Sequence, residues 1–199
     1  MLAYTTEADF DEFAMAKEQF EKMIGELRSE STQTLEHGDV ESLIAREGNE
    51  VLRRLMQGYL DQRSRAEERR AKVVGADGHE RRHCRARSRA LATLFGEVTV
   101  RRLGYSGARL DSVFPLDEAL NLLPDKYSQG LRRKVGWEVA KGSFDEAVMA
   151  IEEGTGAQVP KRQTEPLSRA ISVDFDEFYA CQPMEAGTGL LVEPWTGKA

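Results

Sequence analysis

A chain of 199 residues with 40% hydrophobic and 31% charged side chains can bury the core of one medium domain or two small ones. Its mean hydropathy of -0.52 and the lack of any apolar run near the ~18 residues needed to cross a bilayer exclude a transmembrane helix. The acidic start MLAYTTEADFDEF is unlike a signal peptide, so a soluble cytoplasmic protein without membrane contact is expected.

The net charge of -6 hides a division: residues 1–52 carry 4 basic and 13 acidic side chains, 53–109 carry 15 and 6, and 110–199 carry 9 and 15. The basic block is nearly all arginine, whose planar fork suits phosphate oxygens better than lysine does. Phosphate binding is one reading. A solvated face is another, and pairing with the acidic leading segment is a third.

In chain order, Phe10, Phe13, Phe20, Ile24 and Leu27 form the inward stripe of an amphipathic helix over residues 9–28. After a break at 29–38, Asp39 is placed to cap a second, long helix with Val40, Leu43, Ile44, Val51, Leu55 and Tyr59 facing inward. The following DQRSRAEERRAK favours a helix without an apolar face, which predicts a projecting helical arm. The paired helices suit an intramolecular hairpin or a homodimer, since the heptads are too few to decide.

From Arg81 the chain reads RRHCRARSRALATLFGEVTVRRLGY, a β-hairpin turning near Phe95 and Gly96. If the incoming strand is extended from Arg85, then Arg85, Arg87 and Arg89 share one face at about 6.6 Å intervals. Charge on an edge strand also discourages aggregation without any ligand. Arg81, Arg82, Arg101 and Arg102 complete the basic centre. His79, His83 and Cys84 lack a tetrahedral metal spacing.

A connector with a boundary near Gly107 leads to a helix with Leu131, Val135 and Val139 buried and Arg132, Arg133 and Lys134 outside. Ser143 and Glu146 form a capping box opening a helix lined by Phe144, Ala147, Val148 and Ile151. A glycine turn and Pro160 introduce a last helix lined by Leu167, Ile171, Phe175 and Phe178, with Pro166 predicting a kink or a late start. In a helix-turn-helix the second helix presents its first residues to base edges. Here those are Lys161, Arg162, Gln163 and Thr164, of which arginine can fork to guanine, glutamine to adenine, and lysine can neutralise a phosphate. An ordinary helical hairpin with a polar helix start fits the same pattern. No nucleophile stands near His37, His79 or His83, and the glycines match neither a dinucleotide fingerprint nor a P-loop. The two DFDEF acid clusters fall on helices where carboxylates face water.

The strings LATLFGEVTVRRLGY, PLDEALNLLPDKYSQGLRRKV, GSFDEAVMAIEEGTGAQVPKRQTE and DFDEFYA, in that order, resemble the N-terminal half of bacterial insertion-sequence transposases of the ISKra family over residues 15–182. The resemblance implies a DDE-type enzyme whose matched region binds double-stranded DNA at element ends. A downstream nuclease domain would hold divalent metal, such as Mg, for strand transfer. Where the family's first metal-ligating aspartate is expected, before Gly197 and Lys198, this chain has Thr196, with Glu193 three residues too early. The expected architecture is mainly α with a small β-hairpin, an α+β chain. It comprises an acidic helical region at 1–75, a basic hairpin at 76–109, a helix-turn-helix region at 110–182, and a truncated, disordered start of a catalytic domain at 183–199. No catalytic residue, metal ligand or cofactor is expected in the chain itself. The alternatives are a helix-turn-helix regulator and an inert transposase relic.

Overall fold

The computed structural model describes residues 11–170. It is an α+β molecule with two small antiparallel sheets. Helix α1 (Ala14–Leu27), the single turn α2 (Glu30–Gln33) and the long α3 (His37–Arg65) come first. Strands β1 (Val73–Val74) and β2 (Glu80–Arg81) form a minimal hairpin. Strands β3 (His83–Thr93), β4 (Gly96–Gly107) and β5 (Leu110–Val113) form a meander in that order. Then follow α4 (Pro115–Ala119), α5 (Gln129–Val139), α6 (Phe144–Thr155) and α7, helical over 161–170.

Helices α1 and α3 run antiparallel: Glu12 meets Arg65 at 2.7 Å, Arg54 donates to the Met15 carbonyl at 3.1 Å, and Gln19 donates to Glu47 at 2.7 Å. Their contact is small and polar, with Ala16, Gln19 and Gly58 buried. This overturns the expected apolar seam. Of the inward set on α3 only Leu43 is buried, while Ile44, Leu55 and Tyr59, and Phe20 on α1, are exposed. The reason is Gly58, where a Cβ would lie 2.6 Å from the Glu12 carbonyl oxygen and 2.9 Å from the Phe13 ring. The chain before α1 approaches along that glycine, with Phe13, Ile24 and Leu27 half-buried, while Phe20 and the exposed Ile44, Leu52, Leu55 and Tyr59 of α3 lie to the side. Asp39 is not the cap either. Glu36 holds that position without a side-chain bond, and Asp39 lies in the first turn, where its charge suits the helix dipole.

The hairpin turns at Leu94 and Phe95, pairing Thr93 with Gly96, whose φ of 110 is open to glycine at little cost. Odd-numbered residues of β4 aim their backbone groups away from β3. Strand β5 takes up Tyr105 and Gly107, while α3 and the residues just after it meet Phe95, Glu97, Thr99 and Leu103. Asn49 and Arg53 donate to the carbonyls of Phe95 and Glu97, both at 3.4 Å. Gln57 donates to the Thr99 carbonyl at 3.0 Å and accepts from the Thr99 N–H at 2.8 Å. Glu67 accepts from the Leu103 N–H at 2.7 Å. A helix thus closes the sheet edge that would otherwise template aggregation. For the same reason the predicted arm does not project: α3 ends at Arg65, and the Arg70 N–H donates to the Tyr105 hydroxyl at 2.8 Å. Leu60 packs with Leu91, Val98 and Val100, each worth about 1.5–3 kcal/mol on full burial.

A second core joins Ala92, Tyr127, Leu131, Val135, Ile151, Ala157, Val159 and Leu167. It is attached to β3 by Ala92 N–H to Lys126 carbonyl (2.7 Å) and Ser128 N–H to Ala92 carbonyl (2.9 Å). The capping box forms: Ser143 accepts from the Glu146 N–H at 3.3 Å and its own N–H donates to Glu146 at 2.8 Å. Gly156, at φ 66, ends α6 in the left-handed region. Arg132 is buried rather than outside, because it ion-pairs with Asp125 in the turn before α5. Helix α7 begins at residue 161, so Pro166 does not delay it. Phe10, Ile171, Phe175, Phe178 and the 183–199 segment lie outside the described residues. Where Gly107 ends β4, the chain turns through Arg109, at φ 60, straight into β5, so the sheet runs past the expected boundary.

Gly58→Ala gains ~1 kcal/mol of helix propensity, but it presses a methyl into the Glu12 backbone at a cost of about 1–3 kcal/mol. A net loss is expected by urea denaturation. Gly25→Ala, with nothing within 4 Å of its Cβ, should gain ~0.5–1 kcal/mol. Hydrogen bonds from Arg53, then Arg54, hold the Glu50 carboxyl down at about 2 from 4.5. Because the folded state depresses this pKa, its stabilisation is complete above about 4.5 and is lost as pH falls towards about 2. Glu50→Gln should flatten stability against pH across that window.

Candidate nucleic-acid interface

Strand alternation places Arg85, Arg87 and Arg89 on one face of β3, opposite Gly104, Arg102 and Val100 of β4. Toward the turn the same face carries Leu91 and Val98, so the row of arginines runs into the core. Arg89 sits at that rim, its Nη1 donating to the carbonyls of Leu123, Pro124 and Asp125 at 2.8, 3.1 and 3.2 Å. Arg102, 8% exposed, lies 4.1 Å from the centre of the Phe114 ring and 3.1 Å from Asp117, which also faces Arg89 at 3.9 Å. Gly104 makes room for that ring, since a Cβ there would be 2.7 Å from it. Burial pushes the Asp117 carboxyl up and the Arg102 guanidinium down, against their mutual attraction. Arg89 and Arg102 therefore hold the 114–125 segment on the sheet and do not face a ligand.

Arg81 is likewise interior, at 3% exposed. It binds Asp77 through both terminal nitrogens at 2.9 and 2.7 Å and donates from Nε to the Asp111 carbonyl at 2.6 Å. The Arg81 hydrogen bonds hold the Asp77 carboxyl well below the usual range. Its role is to tie the β1–β2 hairpin to β5. These three arginines leave the expected phosphate-gripping set.

The other expected residues stay on the surface. Arg82 pairs with Glu80 at 2.9 Å, Arg101 with Asp61 at 2.8 Å, and Lys161 with Asp145 at 2.6 Å, all with exposed cations. Such pairs are worth about 0–1 kcal/mol, so a phosphate can displace them. Arg85 and Arg87 are exposed and make no ion pair among the described residues. Arg101 lies across from Ser88, on the opposite sheet face from Arg85 and Arg87. An open groove of about 440 Å³, lined by Ser64, Glu67, Arg87, Ser88, Arg101 and Arg102 and so drawing on residues of both faces, is a feature that periodicity alone did not single out.

At the start of α7, Arg162 is exposed and Gln163 half-buried. Thr164 is 0% exposed, with its hydroxyl donating to the Pro160 carbonyl at 3.4 Å, so it cannot reach a base edge. One helical turn separates it from Leu167, and both sit on the side of α7 that faces the core.

No family model, curated protein or solved structure matches the chain. Among the described residues, no helix is long and apolar enough to cross a membrane, and no group of three or more His, Cys, Asp or Glu converges.

The arginines thus divide by burial, and the division is measurable. Arg102→Met strands a buried carboxylate and should cost about 3–5 kcal/mol. Arg87→Met should stay within about 0.5 kcal/mol. Equal losses in urea denaturation would contradict the division.

Proposed function

We propose that this chain is the DNA-binding portion of an insertion-sequence transposase. Arg85 and Arg87 neutralise backbone phosphates, and α6 and α7 act as a helix-turn-helix that offers Arg162 and Gln163 to base edges. The observation that carries this reading is the exposure of Arg85 and Arg87 without acidic partners among the described residues, in a basic segment whose other β3 and β4 arginines are ion-paired. Guanidiniums held on a strand face are pre-organised for phosphate contacts.

Spacing adds support. Tyr127 bridges to Ala92 and shares a core cluster with Val159 and Leu167, so the start of α7 lies near the turn end of β3. Arg87 and Arg85 stand about 17 and 23 Å along the strand from Ala92, within one ~34 Å turn of duplex. Metal-dependent strand transfer, which the transposase resemblance assigns to a downstream nuclease domain, is no part of this reading. A regulator would use the same contacts at a promoter, so the choice of DNA decides between the two.

The test is a gel-shift titration of a terminal-repeat duplex and a scrambled duplex at two salt concentrations. Arg85→Ala with Arg87→Ala should weaken binding to both and lower the salt slope by about 2. Arg162→Ala should cost ~1–3 kcal/mol on the repeat alone, whereas Thr164→Val should leave the preference intact. An unchanged salt slope in the double variant overturns the phosphate assignment.

A further inference from the structure

The long helix α3 has three sides with different neighbours. One carries Asn49, Arg53 and Gln57 against the β4 edge, and a second carries Glu47, Arg54 and Gly58 against α1. The third carries Ile44, Leu52, Leu55 and Tyr59, each between 39% and 45% exposed. With Ala45 and Gly48 these residues keep the three-four spacing of a coiled-coil seam over about 22 Å of helix. Phe20 of the neighbouring α1 is also exposed.

We propose that this third side of α3 is a self-association surface that pairs antiparallel with α3 of a second copy of this chain, about a two-fold axis near Leu52. Size complementarity argues for this register. The first half of the seam carries two small residues, Ala45 and Gly48, with Ile44 at its margin, and the second half carries the large Leu55 and Tyr59. Antiparallel alignment about Leu52 sets Tyr59 of one copy over Ala45 of the other and brings Leu55 opposite position 49, one residue from Gly48, which has nothing within 4 Å of a Cβ.

Charge agrees. From Glu36 to Glu50 the helix and its cap carry Glu36, Asp39, Glu41, Glu47 and Glu50 against Arg46, while from Val51 to Arg65 they carry Arg53, Arg54, Arg63 and Arg65 against Asp61. That order suits the helix's own dipole. Glu47, Glu50, Arg53, Arg54, Asp61 and Arg65 are ion-paired within the copy, so complementarity across the seam rests on the charges at its two ends, Glu41 and Arg63. Glu41, beside the seam, then meets Arg63 of the other copy, whose guanidinium leans on Tyr59 and donates to its hydroxyl at 3.0 Å. A parallel pairing would set acid on acid and base on base, a repulsive arrangement. A two-fold contact of this kind closes on itself and stops at a dimer.

The inference needs no nucleic acid and stands or falls apart from the DNA reading. The full chain is examined by light scattering after size exclusion, then by oxidation of single-cysteine variants in a Cys84→Ser, Cys181→Ser background. The expected mass is twice 22.3 kDa, falling to a single chain in Leu52→Glu with unchanged helix content. Leu52→Cys should cross-link to itself, because the two copies meet on the axis. Glu41→Cys should not, because its two copies lie about 33 Å apart, far beyond disulfide reach. A monomeric wild type, a dimeric Leu52→Glu, or equal cross-linking at both positions overturns the proposal. So does a monomer that dimerises only after deletion of residues 1–10, which would assign the seam to the chain's own start.

Discussion

The constraint on which the structure turns is the open edge of β4. Between residues 95 and 103 the outward-facing backbone groups of its odd-numbered residues have no strand to bind, and partners come from Asn49, Arg53 and Gln57 of α3 and from Glu67 just beyond it. The match is geometric. Two strand residues advance about 6.7 Å and four helix residues about 6 Å, so polar side chains four apart on the helix meet alternate residues of the strand for several turns. The edge needs polar residues on α3, and the close α1 contact needs a glycine there. Together they leave the large apolar residues of α3 on its remaining side, which is why a stripe that reads as core stands in solvent.

The same economy governs the arginines. A guanidinium at the rim of a core costs desolvation unless its donors are matched. Arg81 is matched by Asp77 and the Asp111 carbonyl. Arg89, by contrast, is met by backbone carbonyls at Nη1 alone and Arg102 by its ion pair with Asp117, with Arg89 Nε and Nη2 and Arg102 Nη1 buried without hydrogen-bond partners among the described residues. In exchange they fix the β1–β2 hairpin and the 114–125 segment onto the meander. What remains for an external polyanion is a smaller, better defined set: two unpaired guanidiniums on β3, one at the start of α7, and a few surface pairs that phosphate can open. The acidic leading segment takes Arg53, Arg54 and Arg65 of the basic block through Glu50 and Glu12, but among the ion pairs of the described residues it takes none of the strand arginines, Arg101 being paired with Asp61 of α3.

The block from α5 to α7 has its own core and meets the sheet through Tyr127 and Ala92. Its leading edge is consequently short. Thr164 and Leu167 face the core, which leaves Arg162 and half of Gln163 outward, while Lys161 is turned onto Asp145. Any duplex bound here would be read by few side chains and held largely by the hairpin.

What the sequence by itself determined was local. The hairpin about Phe95 and Gly96, the alternation that puts Arg85, Arg87 and Arg89 on one face, the capping box of Ser143 and Glu146, and the glycine turn before α7 all rest on nearest-neighbour chemistry. They form as read. The apolar faces of α5, α6 and α7 are also buried where their spacing puts them, at Leu131, Val135, Ala147, Ile151 and Leu167. For α3 and the basic strands the packing partners, far away in the chain, set which side is buried. The close α1 contact at Gly58 and the β4 edge left Ile44, Leu55 and Tyr59 in solvent, Asp117 and the 123–125 carbonyls drew Arg102 and Arg89 inside, and the chain after Arg65 lies against β4 and is no arm. Periodicity states that a face exists; only the partner that packs against it fixes whether that face is core, tether or surface.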